Sequence, residues 1–329
     1  MAADARLFGQ RIADLPPLVG DLRQLASVRR FELREGPEDG VRGLAFDTGG
    51  GLAFWVMDGR CLDLGTLSWR GMPCAWQGAM GFRHPGLHDT EGEGGTGFHR
   101  SFNGLLVTCG LERTRQPVPG GPLHGRLPYT PARLTAWGED FERGEPVLFC
   151  EGEVVQAESS GESWRLRRRI EAPVGGTTIR LTDTVDNRTA KARPQHILYH
   201  FNFGFPLLRQ GSEVLLDGRP IREPFTGVDP QAVPSVRCHR AGGAAWSVAE
   251  LRSPEGPAGP PVTLRMAFAT DTLPWIQTWL QPQPGMHVLG IEPGNSERGP
   301  DGQSVPDPSC ELGPWASRTF RLELSLSGG

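Results

Sequence analysis

Apolar and polar residues alternate along most of this chain, in short runs cut by glycine, proline, aspartate and serine. A period of two is the signature of a strand with one face buried and one exposed. Residues 164–170 alternate, residues 177–185 alternate again, and Gly175-Gly176 lies between them, which predicts an antiparallel hairpin. The run at 147–158 pairs naturally with the 164–170 run next to it. Residues 41–47 and 52–57 flank a turn at 48–51 and predict a second hairpin. Further strand-like runs fall at 105–111, 196–203, 213–216, 244–251, 262–269, 276–280, 287–291 and 318–325. No segment shows a βαβ alternation or a solenoid period. The pattern predicts an all-β fold, a large antiparallel β-sandwich or barrel with few short helices. Residues 1–40 read as a lead-in packed on a single main domain at 41–329. Within it Pro16 and Pro17 interrupt a weak stripe of Leu18, Leu22 and Leu25.

Composition agrees with the pattern. The 45 glycines and 30 prolines recur at intervals too short for long helices. The stretches 91–97, rich in Gly and Glu, and 254–261, rich in Pro and Gly, read as surface loops. Net charge is -4, which argues against a nucleic-acid partner. The one basic cluster, Arg165, Arg167, Arg168 and Arg169, falls in an alternating run and reads as a partly solvated strand face. No apolar run approaches the roughly 18 residues that span a bilayer, and the N-terminus lacks the apolar core of a signal peptide. The six cysteines, Cys61, Cys74, Cys109, Cys150, Cys238 and Cys310, include no C-x-x-C pair. They read as reduced, mostly buried thiols of a cytoplasmic protein, with no cofactor.

Candidate chemistry lies where titratable residues interrupt apolar or aromatic runs. Pro122-Leu123-His124-Gly125-Arg126 holds a histidine and an arginine around a glycine. In Leu198-Tyr199-His200-Phe201-Asn202-Phe203, strand geometry puts His200 and Asn202 on one face and the three aromatic rings on the other. In Gly290-Ile291-Glu292-Pro293-Gly294-Asn295 a carboxylate closes an apolar run. Each segment taken singly fits a structural role.

Taken together, they resemble the galactose mutarotases (aldose 1-epimerases). Leu123-His124-Gly125 is similar to that family's L-H-G segment, Tyr199-His200-Phe201-Asn202 to its N-H-S-Y-F-N segment, and Gly290-Ile291-Glu292-Pro293 to its late E-P segment, in the same order. Arg100 precedes His124 by 24 positions, as the substrate-binding arginine of the family precedes its first histidine. The resemblance is closer to a bacterial aldose 1-epimerase-like branch, DUF4432. It shares Asp58-Gly59-Arg60-Cys61-Leu62-Asp63-Leu64, Pro73-Cys74-Ala75-Trp76, the run Arg100-Ser101-Phe102-Asn103-Gly104-Leu105-Leu106-Val107-Thr108-Cys109-Gly110-Leu111, Leu123-His124-Gly125-Arg126 and Glu292-Pro293-Gly294-Asn295. The asparagine and serine around the second histidine of true mutarotases are missing here.

The resemblance implies a mutarotase-like supersandwich and anomer interconversion by an acid–base pair. Glu292 would act at the C1 hydroxyl and His200 at the ring oxygen, with His200 kept protonated by a neighbouring carboxylate. His124 and Arg100 would bind sugar oxygens. Trp76 and Trp279 are the expected apolar platforms, and Arg60, Asp63, Arg126, Asn202 and Asn295 the expected polar contacts. Arg60 and Asp63 read equally as an ion pair. The partner implied is a small-molecule sugar, bound by a monomer or homodimer, with no membrane and no metal. Other readings remain open at this level. One is a different isomerase, epimerase, lyase or glycoside-cleaving enzyme acting on an anionic sugar held by arginines 60, 100 and 126. Another is a metal site formed by His124, His200 and Glu292. A third is a carbohydrate-binding module without catalysis.

Overall fold

The computed structural model describes residues 6–242 and 245–329. It is an all-β molecule built on three larger antiparallel sheets. A nine-stranded sheet runs, in spatial order, from Arg219–Pro220 through Glu213–Leu216, Trp246–Ser253, Val262–Ala269, Ser317–Gly328, Thr178–Asn187, Ser163–Pro173 and Val147–Ala157 to Arg133–Asp140. A five-stranded sheet, the site sheet, carries the candidate chemistry. Its order is Ser235–Arg240, Trp275–Gln281, Val288–Gly294, His196–Phe203 and Leu106–Leu111. A second five-stranded sheet is N-terminal and runs in chain order from Ser27–Glu32 to Met72–Pro73. Helical structure is confined to single short turns such as Gly92–Gly95 and Gly97–Arg100.

Both hairpins lie where the alternation predicts them. Trp164 to Glu171 pair with Asn187 to Arg180, and Leu44 to Asp47 pair with Val56 to Ala53. The inward residues of the three sheets form one continuous core, with Phe54 and Leu64 from the N-terminal sheet, Leu166 and Leu181 from the nine-stranded sheet, and Tyr199 and Ile291 from the site sheet. The run expected at 244–251 is the strand Trp246–Ser253, and Ala244 lies outside the described residues, as do residues 1–5. Four strands longer than two residues had no clear signal: Ser27–Glu32, Asp63–Trp69, Arg133–Asp140 and Ser235–Arg240. Three of them are sheet edges, whose half-exposed positions carry mixed residues.

The basic cluster departs from its expected setting. Arg165, Arg167 and Arg169 point outward, whereas Arg168 alternates to the inner face and is 2% exposed. Its guanidinium is paired to Asp183 and Asp63, both at 2.7 Å, and donates to Thr108 Oγ1 at 2.8 Å. Tyr199 donates its hydroxyl to Asp183 at 2.8 Å. All five residues are buried, and they come from all three sheets. All six cysteines are free thiols.

Candidate active site

The site sheet has two covered faces. Tyr199, Phe201 and Phe203 enter the main core. On the opposite face His200 looks into a cleft of about 500 Å³. Strand periodicity fills the same wall from Trp275–Gln281, whose alternate residues Gln277, Trp279 and Gln281 line the cleft. The turn Gly97–Arg100 and the residues after it bring Phe98 and Phe102, and the loop between Leu106–Leu111 and Arg133–Asp140 brings Arg115 and His124. The rings form a cluster. His200 lies 5.1 Å from Phe102, 5.6 Å from Trp279 and 5.7 Å from His124, centroid to centroid.

Glu292 sits behind this wall and is fully buried. Its Oε1 lies 3.4 Å from His200 Nε2, and its Oε2 accepts from Gln277 Nε2 at 2.7 Å. Strand pairing sets Gln277 directly opposite Glu292. Gly290 leaves the room this pair needs: a Cβ there would stand 2.5 Å from Glu292 Oε1 and 3.3 Å from His200 Cε1. Burial penalises the charged form of each partner. It pushes Glu292 up to about 8, against the opposing pull of Arg115 and Gln277, and it pushes His200 down to about 4. His200 is not kept protonated as the resemblance implied, because burial outweighs the hydrogen bonding that favours its charged form. At neutral pH the pair holds one proton, on Glu292.

The supporting residues are placed by hydrogen bonds. Arg115 donates to Gln277 Oε1, to the Ser296 carbonyl at 2.6 Å and to Ser304 Oγ at 3.2 Å. The backbone N–H of Arg115 donates to His124 Nδ1 at 3.3 Å. Burial holds the His124 ring neutral, so its remaining proton is on Nε2. His124 has φ of 62°, and Gly125, at φ of 78°, packs where a Cβ would be 2.5 Å from the Gly110 carbonyl oxygen. Only glycine fits there, which explains the histidine-glycine pair.

Several expected site residues lie elsewhere. Arg100 points to solvent and pairs with Glu93 at 2.7 Å. The guanidinium in the cleft wall belongs to Arg115, which the sequence did not single out. Arg126 pairs with Glu91 at 2.8 Å, outside the cleft. Arg60 and Asp63 do not pair with each other. Arg60 lies 4.5 Å from the Tyr129 ring and donates to the carbonyls of Ser101 and Asn103, holding the segment that carries Phe102. Asp63 belongs to the Arg168 network. Asn202 is fully buried and donates to the carbonyls of Gly104 and His200. Its side chain also raises the proton affinity of the His200 ring. Asn295 ties the strand start at Gln195 and Ile197. Trp76 packs beneath the cleft, 5.4 Å from Phe102, with its indole N–H on the Met286 carbonyl. Of the two platforms, Trp279 alone faces the cleft. Gln277 was implied once Trp279 was placed, because two residues along a strand share a face. Among the described residues no group of three His, Cys, Asp or Glu is arranged to hold a metal ion.

The sandwich and its histidine-lined cleft define the class of protein. The architecture is similar to that of a candidate aldose 1-epimerase from Klebsiella pneumoniae, with 20% identity, a TM-score of 0.80, and 93% of this chain and 86% of that one covered. It is also similar to a galactose mutarotase-like protein from Clostridium acetobutylicum, with 10% identity, a TM-score of 0.57, and 92% and 99% covered. A protein of Synechocystis sp. PCC 6803 matches with 12% identity, a TM-score of 0.59, and 90% and 99% covered. The fold is therefore galactose mutarotase-like. Within that fold, the chain belongs to the family described as domain of unknown function DUF4432, whose model matches residues 38–326. No curated protein matches the sequence.

Proposed function

We propose that this protein is a carbohydrate-active enzyme of the aldose 1-epimerase type, which interconverts sugar anomers through the proton held by His200 and Glu292. The observation that carries the reading is the 3.4 Å contact between His200 Nε2 and Glu292 Oε1 at the wall of an aromatic cleft. Opening a pyranose ring removes the C1 hydroxyl proton and adds one to the ring oxygen. Closing it on the other face of C1 reverses both transfers. In the opening step neutral His200, the member of the pair that lines the cleft, takes the hydroxyl proton. The Glu292 carboxyl behind it supplies the ring-oxygen proton as the wall gives way beside Gly290. These roles are the reverse of those the resemblance implied. The pair is left as imidazolium and carboxylate, and the reverse transfers on closure restore it. No net proton enters or leaves.

The surroundings fit this chemistry. Trp279 and Phe102 offer apolar surface to the C–H face of a sugar ring, and the Nε2 proton of His124 is free to donate to a sugar oxygen. Arg115 acts through Gln277 to position the carboxyl. The likeness in fold to a candidate aldose 1-epimerase supports the same reading. Exchange NMR between α and β anomers, across neutral sugars, sugar acids and sugar phosphates, is the test. Glu292→Gln and His200→Ala are each expected to lower the catalysed exchange by ~10²–10⁴-fold, the usual contribution of a placed acid or base. A folded protein that accelerates no sugar overturns the reading. Binding without acceleration would assign the cleft to recognition alone.

A further inference from the structure

The charge of the cleft wall points beyond a neutral sugar. Among its described lining residues there are two arginines and three histidines, and no aspartate or glutamate. Glu292 is buried behind the wall and does not line it. Neutral sugars present hydroxyl donors, which carboxylates accept well. This wall instead offers donors and positive charge.

The two arginines are not equivalent. Arg115 uses its guanidinium on Gln277, Ser296 and Ser304 and is 3% exposed. Arg298 is only partly buried, and its side chain has one hydrogen bond among the described residues, 3.4 Å to the carbonyl of the next residue, Gly299. Arginine carries five N–H donors in a planar fork, so most of its donors are unspent. The loop that presents it is closed on itself. Gly299 N–H donates to Gln303 at 2.8 Å, Gly302 N–H to Gly299 at 3.0 Å and Val305 N–H to Glu297 at 2.9 Å. Gly302 packs against the fork, where a Cβ would be 3.1 Å from Arg298 Nη2. Arg298 also stands near enough to Glu292 to act on its carboxyl.

We infer that the cleft takes a sugar bearing an oxyanion, a carboxylate or a phosphoryl group, and that Arg298 binds that group. The inference rests on the sugar-cleft reading and names the substrate class. A planar fork on a cleft whose described lining holds no carboxylate is suited to two-point recognition of an oxyanion. The arginines 60, 100 and 126, which the sequence offered for this role, are directed elsewhere.

Titration calorimetry and exchange NMR with galactose and glucose, set against galacturonate and glucose 6-phosphate, form the test. The anionic sugars are expected to bind about tenfold to a hundredfold more tightly than the neutral ones, the range for hydrogen bonds to a charged group. Arg298→Gln is expected to bring that ratio close to one, and Arg298→Lys to retain part of it. Comparison of the acid with the phosphate identifies the oxyanion. Equal binding of neutral and anionic sugars, or an anion preference that survives Arg298→Gln in a folded protein, overturns the inference. Catalysed exchange of neutral sugars without anion preference would leave the epimerase reading standing and remove this one. Anion-dependent binding through Arg298 without exchange would do the reverse. If no sugar binds, both fall.

Discussion

Glu292 and His200 show burial deciding a question that sequence proximity could not. Their pairing was legible from two short segments far apart in the chain, but the direction of their proton was not. That direction depends on how completely each side chain leaves water. With Glu292 raised to about 8 and His200 lowered to about 4, the pair holds a single proton between those limits. Below about 4 His200 takes a second proton and can no longer accept one; above about 8 Glu292 has none to give. Catalysed exchange is therefore expected to follow a bell between these limits. Exchange NMR across pH, with the spontaneous rate subtracted, measures it. Glu292→Gln is expected to abolish the alkaline limb along with most of the rate, and a flat profile would contradict the shared-proton assignment. Arg115 illustrates the other limit of residue-level reading. It reaches the site through a loop with no regular period, so nothing in its neighbourhood distinguishes it from Arg100.

Strands with one buried face announce themselves, and the hairpin of Ser163–Pro173 and Thr178–Asn187 is the clearest case. Edge strands such as Arg133–Asp140 and Ser235–Arg240 do not, because half-exposed positions tolerate any residue. Loops are legible only where backbone geometry demands a particular residue. The turn at His124-Gly125 is one such place. Gly125→Ala would bring a Cβ to 2.5 Å from the Gly110 carbonyl oxygen and 2.6 Å from that of Arg113, at a φ of 78°. The expected cost is about 1–3 kcal/mol of strain or more, seen as a lower midpoint in thermal or denaturant unfolding. The turn also sets His124 against Arg115, so sugar affinity should weaken at temperatures where the variant remains folded. An unchanged midpoint would show that the turn relaxes freely.

Across the whole molecule, the Arg168 network joins the three sheets through charge as well as through apolar packing. Asp63 and Asp183 are two buried carboxylates held by one guanidinium. Arg168→Leu is expected to cost about 3–5 kcal/mol, because the aspartates would lose their counter-charge while staying out of water. Replacing both as well, with Asp63→Asn and Asp183→Asn, should recover much of the loss. Denaturant unfolding of the single and triple variants measures both effects, and a neutral Arg168→Leu would show that water reaches the network. The run 165–169 identified a basic strand, but only the partner sheets reveal which arginine turns inward. That inward turn also proofreads assembly. If Ser163–Pro173 slipped by one residue against its neighbours, Arg168 would swing to solvent and Arg167 or Arg169 would face the apolar interior. A misregistered sandwich would thus turn the charged outer row of the strand inward, Arg165 and Glu171 included, against only two aspartates, and mispaired forms carry an electrostatic penalty that the correct pairing alone escapes.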